Sequence, residues 1–144
     1  MLIDLKSRLQ DSEIQELIGW SVFPDPDSVP QVIEQYAAED SELSIMGYES
    51  EEQMIGFVGF SINSEDRMVL RHIAVLPEAR GAGFGRGMIL ELLHQFAPNT
   101  IEAETDEEAV HFYRSIGFRV ESLGERVPGT ERFLCTYEAY EQED

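Results

Sequence analysis

The chain has 144 residues, with 29 acidic against 10 basic side chains, a net charge of −19 and a single cysteine. That length suits one domain whose core needs no metal or disulfide staple. The charge argues against nucleic acid as a partner, because such binding relies on Lys and Arg neutralising phosphates. Cys135 alone allows neither an intramolecular disulfide nor a cysteine-based zinc site, and no metal ligand set is expected.

Leu2 to Leu5 alternates weakly and reads as a short edge strand. Ser12 to Trp20 places Ile14, Leu17 and Ile18 at helical spacing, with Asp11 or Ser12 as N-cap. Phe23 to Ser28 is a turn. Ser28 to Ala38 reads as a second helix, capped by Ser28, with Pro30 in the first turn and Val32, Ile33 and Tyr36 as its apolar face. Two strands follow, Leu43 to Tyr48 and Met54 to Ile62, joined by the charged turn Glu49 to Glu52 as a hairpin. After the turn Asn63 to Asp66, a strand carries Val69, Arg71, Ile73 and Val75 on one face and Leu70, His72 and Ala74 on the other, and Pro77 ends it. Three consecutive strands of this kind followed by a helix indicate an α+β fold with an antiparallel sheet.

Glycines then occupy every second position, Gly81, Gly83, Gly85 and Gly87, flanked by Arg80 and Arg86, and a helix reads from Phe84 to Phe96 on the pattern Met88, Ile89, Leu92, Leu93, Phe96. The first turn of a helix has backbone N–H groups without partners and the positive end of the macrodipole, and glycine lets a ligand approach them. Strand, glycine loop and helix start therefore form an anion site. The dinucleotide spacing G-x-G-x-x-G is not met, nor is the Gly-Lys-Ser/Thr ending of a P-loop. R-x-x-G-x-G is met by Arg80, Gly83 and Gly85, and here the stretch resembles the pyrophosphate-binding motif of the GCN5-related N-acetyltransferases. The preceding Ile73-Ala-Val-Leu-Pro-Glu resembles the strand end of the same family.

The resemblance implies a fold and a cofactor. The fold is a mixed, mostly antiparallel central sheet flanked by helices, in which one parallel strand pair splays to form the acyl-coenzyme A cleft. The cofactor is acetyl-coenzyme A, its diphosphate on Arg80, Gly81, Ala82, Gly83, Phe84, Gly85 and Arg86 and its pantetheine arm on the backbone of Ile73, Ala74 and Val75. Relatives often carry Lys or Arg where this chain has Ala82, so one cation fewer faces the diphosphate.

Thr100 to Glu104 reads as a short strand, and its connection through a helix to the preceding strand makes that pair parallel. Thr105 to Ile116 then reads as a helix with a Thr105/Glu108 capping box, an apolar face of Ala109, Phe112, Tyr113 and Ile116, and Gly117 as terminator. By spacing alone Tyr113 is a core aromatic. The block resembles the family's Asn-x-x-Ala-x-x-Phe-Tyr-x-x-x-Gly-Phe, which implies that Tyr113 protonates the leaving thiolate, as a phenol of pKa near ~10 can. Asp106 stands where the family often has Asn, and it is either a cofactor contact or a plain helix cap.

Phe118 onward resembles the family's last hairpin, with strands Arg119 to Leu123 and Glu131 to Tyr140 around a loop from Gly124 to Thr130. Tyr137, Glu138 and Tyr140 are either contacts to substrate or to a second subunit of a homodimer, or ordinary strand faces. The implied reaction is direct attack of a small-molecule or protein amine on the thioester, with Glu104 as the first candidate base and His72 as the second. A catalytically silent acyl-coenzyme A sensor is the alternative. The acidic surface either steers a cationic substrate or only promotes solubility. No cationic leader with an apolar run opens at Met1, and no apolar segment approaches the ~20 residues of a membrane helix, so a cytoplasmic protein with no membrane partner is expected.

Overall fold

The computed structural model describes residues 2–22 and 25–139. Two compact units divide the chain, Met1–Ser61 with Arg71–Gln95 and Ile62–Leu70 with Phe96–Asp144. Strand β4 (Arg67–Val75) runs through both.

In the first unit, β1 (Leu2–Asp4) pairs antiparallel with β2 (Ser44–Ser50), which pairs antiparallel with β3 (Gln53–Ile62). The hairpin turn is tighter than its charge suggested. Ser50 pairs with Gln53, and Glu51 and Glu52 take φ of 52° and 68°, the mirror-turn geometry that matches strand twist. Helices α1 (Ser12–Ser21) and α2 (Val29–Ala37) bury Ile14, Leu17, Ile18, Val32 and Tyr36 in a cluster with Leu5, Ile45 and Phe57. Ile33 is only partly buried. Ser28 does not cap α2. It belongs to a 3₁₀ turn, Pro26–Ser28, and its hydroxyl donates to the Asp25 carboxylate at 2.8 Å. Asp11 precedes α1 without a side-chain cap bond because its carboxylate is engaged by Arg8. Phe23 and Pro24, expected in a turn, lie outside the described residues.

Helix α3 (Phe84–Phe96) has the expected bounds and buries Met88, Ile89 and Leu92. Gly56 on β3 leaves room for it, since a Cβ there would come within 3.3 Å of the Met88 methyl.

The second unit holds β5 (Thr100–Thr105), α4 (Val110–Ser115), β6 (Arg119–Val127) and β7 (Thr130–Glu138). Seven strands are ordered β1-β2-β3-β4-β5-β7-β6, and β4 with β5 is parallel. Their ladder runs from Arg67 with Thr100 to Leu70 with Ala103. Both strands continue past it, β4 to Val75 and β5 to Thr105, and β5 remains paired with β7 through Glu104 with Leu134 and Thr105 with Phe133.

Two expectations in this unit are corrected. The helix expected from Thr105 starts at Val110, because Thr105 is drawn into β5 and the intended capping box cannot form. Asp106 acts instead: its Oδ1 accepts the backbone N–H of Glu108 at 3.1 Å and of Ala109 at 3.0 Å. The buried face is accordingly Val110 and Tyr113, with Ala109 exposed. The loop expected from Gly124 to Thr130 is mostly strand, since β6 reaches Val127 and β7 begins at Thr130. Register shifts after Ser122 and Glu125, with Gly124 at φ 81°, break the alternation by which a strand is read. Tyr140 lies outside the described residues.

Two mutational contrasts follow from this packing. Phe57, with no exposed surface, should cost about 3–5 kcal/mol as Phe57→Ala in urea unfolding, whereas Arg119→Ala, which removes an exposed ion pair with Glu138, should cost under about 1 kcal/mol. Asp106→Ala should lower stability by about 1 kcal/mol by the same measurement, because two N–H groups ahead of α4 lose their acceptor.

Candidate functional site

The glycine loop follows β4 directly. Pro77–Ala79 makes a 3₁₀ turn, and Arg80 leaves it in extended conformation. Gly81 and Gly83 have φ of 84° and 86°, which L side chains rarely adopt, and a Cβ built on either meets nothing within 4 Å. The space beside the loop is open, so glycine is required here by the backbone and not by protein packing. Gly87 N–H donates to Gly83 C=O at 2.9 Å and opens the helical ladder. The N–H groups of Phe84, Gly85 and Arg86 therefore precede the first intrahelical partners, at the positive end of a 13-residue helix. A diphosphate fits this cradle by charge, by donors and by room.

The arginines of the loop differ from those held in ion pairs. Arg8, Arg67, Arg119 and Arg132 each pair with carboxylates. Among the described residues, Arg80 and Arg86 make no ion pair. Arg80 instead donates from Nε to the Val75 carbonyl at 2.9 Å and lies over the Trp20 ring, 5.6 Å from its centroid. Its charge is thus held in place without being neutralised. Trp20 carried no sequence signal for this role, being 60 positions away, although an aromatic on a helix edge is a usual cation platform. Ala82 is exposed, and Phe84 packs edge-on against Tyr48, ring centres 6.1 Å apart.

The end of β4 has two edges. Leu76 N–H donates to Ile55 C=O, and the Ala74 carbonyl faces Gly56, so alternate residues turn towards β3. Strand alternation then directs the backbone groups of Ile73 and Val75 to the opposite edge, and Ala74 is the one of the expected three that turns away from it. Within the same unit, His72 Nδ1 lies 2.7 Å from the hydroxyl of Tyr36 on α2.

The second unit contains Tyr113, Glu104 and Asp106. Tyr113 is 4% exposed, set edge-on between the rings of Phe112 and Phe118 at 5.1 and 5.2 Å. Burial above all, with Cys135 adding, raises its pKa well above that of an ordinary phenol, so it stays protonated. Glu104 is exposed at the end of β5 and accepts from Arg132 Nε at 3.1 Å. Asp106 serves its own backbone. Tyr137 stacks against Phe118 at 5.4 Å and Glu138 pairs with Arg119, both as strand-face contacts. Among the described residues, no helix is long and apolar enough to cross a membrane.

Known proteins share this architecture. A GNAT-family protein from Desulfovibrio desulfuricans is 17% identical over 97% of this chain and 99% of its own, with a TM-score of 0.79. An aminoglycoside 6'-N-acetyltransferase complexed with coenzyme A is 14% identical over 100% and 99%, with a TM-score of 0.78. A spermidine N-acetyltransferase chimera from Vibrio cholerae SpeG and hSSAT is 22% identical over 96% of both chains, with a TM-score of 0.74. At these identities the likeness is one of fold. No curated protein matches the chain. The model of the acetyltransferase (GNAT) family matches residues 9–118, and the chain belongs to that family.

Proposed function

We propose that the protein is an N-acetyltransferase that moves an acetyl group from acetyl-coenzyme A to a small-molecule amine by direct attack. The observation that carries this reading is the open, left-handed backbone at Gly81 and Gly83, set between β4 and the start of α3 beside two arginines that make no ion pair among the described residues. A relative of the same fold complexed with coenzyme A supports the cofactor. The net charge of −19 favours encounter with a cationic amine, and relatives named for aminoglycosides and spermidine support a small acceptor over a protein one.

When bound, acetyl-coenzyme A supplies an activated acyl group as a thioester. The loop amides with Arg80 and Arg86 hold its diphosphate, and the backbone edge of Ile73 and Val75, where the Val75 carbonyl also accepts from Arg80, pairs with its pantetheine arm. Tyr113, kept protonated by burial, gives a proton to the departing sulfur, and Glu104 takes one from the acceptor amine, directly or through water. The packing of Tyr113 between two aromatic rings also suits a silent acyl-coenzyme A-binding module with no transferase step.

Thiol release from acetyl-coenzyme A, measured across polyamines, aminoglycosides, amino acids and peptide N-termini, tests the proposal. Turnover on a polyamine or aminoglycoside is expected, and binding of the cofactor with no turnover on any acceptor would favour the silent module. Tyr113→Phe should reduce kcat by roughly 10²-fold with cofactor affinity little changed. An unchanged kcat would remove Tyr113 from the chemistry. Gly83→Leu, which both strains the left-handed loop backbone and fills the open space beside it, should weaken coenzyme A binding at least about tenfold by calorimetry, while circular dichroism reports the helices and sheet retained.

A further inference from the structure

Three residues that are distant in sequence meet on the α2 side of β4. Tyr36 has no exposed surface, and its hydroxyl lies 2.7 Å from His72 Nδ1. Gly59 on β3 makes the position possible, since a Cβ built there would land on that hydroxyl. The phenol is therefore placed by an absent side chain beneath it and an imidazole beside it.

We propose that Tyr36 fixes His72 in the tautomer that carries its proton on Nε2, so that β4 presents a hydrogen-bond donor to an oxygen of the bound substrate. This role rests on the acetyltransferase reading and names what His72 does within it.

Burial keeps the Tyr36 phenol protonated, its pKa raised despite the opposing effect of Arg71. Burial first, and Arg71 second, lowers the pKa of His72, so the imidazole is neutral and carries one proton on one nitrogen. Among the described residues, Tyr36 Oη has no hydrogen-bond partner other than His72 Nδ1. If Nδ1 held the proton, the phenol O–H would be left in the core without an acceptor, which folded proteins avoid. The phenol therefore donates, Nδ1 accepts, and Nε2 carries the hydrogen. His72 is half-buried, its Nδ1 faces the fully buried phenol, and among the described residues its Nε2 has no hydrogen-bond partner. It directly precedes Ile73, the first residue of the backbone edge assigned to the pantetheine arm. A nitrogen already protonated cannot take a proton from the acceptor amine, so His72 is a donor and not the base.

Two readouts test this. In ¹⁵N-labelled wild-type protein, two-bond ¹H–¹⁵N correlation spectra should show His72 with Nε2 protonated and Nδ1 bare. Tyr36→Phe, which keeps the ring, should convert that pattern to a mixture of tautomers. In acetyl transfer, His72→Ala should lower kcat/KM by about tenfold, the value of one neutral hydrogen bond, and His72→Gln, whose amide N–H stands near the Nε2 position, should recover part of that loss. An Nδ1-protonated wild type, a spectrum indifferent to Tyr36→Phe, or His72→Gln as impaired as His72→Ala would each overturn the proposal. The spectra need no acceptor, so a protein that transfers no acetyl group would fail the activity reading while the tautomer was still decided.

Discussion

The parallel pairing of β4 with β5 is the constraint on which the candidate site depends. Parallel neighbours cannot be joined by a two-residue turn, so the chain must leave β4, cross over and return. Here the crossover consists of the 3₁₀ turn after Leu76, the glycine loop and α3. A helix start with its unpartnered N–H groups is thereby delivered immediately beyond the strand end. The ladder itself is only four residues long, and β4 runs on for five more, from Arg71 to Val75. Those five carry His72 on one face and the backbone edge of Ile73 and Val75, so both the proposed cofactor contacts and the proposed donor depend on where the ladder stops.

Short polar contacts then set individual groups within this frame, and their worth depends on burial. Exposed pairs such as Arg119 with Glu138 or Arg8 with Asp11 lie in water and contribute little. The Tyr36 to His72 bond joins a phenol with no exposed surface to a half-buried imidazole, and it determines which nitrogen holds a proton. Arg80 lies between these cases. Its Nε is spent on Val75 and its plane on Trp20, and among the described residues its formal charge has no counterion, on a chain where acidic groups outnumber basic ones almost threefold.

Elements with a strong local period were legible in the sequence. Helix α3 was read with its observed bounds because apolar residues recur at helical spacing behind a glycine loop, and α1 because Ile14, Leu17 and Ile18 share one face. Helix α4 was read too long. Thr105 through Glu108 satisfies a capping-box pattern, yet pairing of β5 with β7 extends the strand through Thr105, and Asp106 accepts from the N–H groups of Glu108 and Ala109 in the turn ahead of α4. Strand β6 was read too short because Gly124 and two register shifts hide its period, and it is β7 that supplies its pairing.

The sequence by itself determined the glycine loop ahead of α3, the order of elements and the family resemblance, because glycine spacing, apolar period and turn residues act between neighbours a few positions apart. Only the tertiary structure decided that Arg80 is held by Val75 and Trp20, that Ala74 faces β3 while Ile73 and Val75 do not, and that Tyr36 meets His72 above Gly59. Each of these is a contact or an orientation fixed by sheet pairing and core packing. Such pairing joins residues remote along the chain, and the identity of either partner alone does not reveal it.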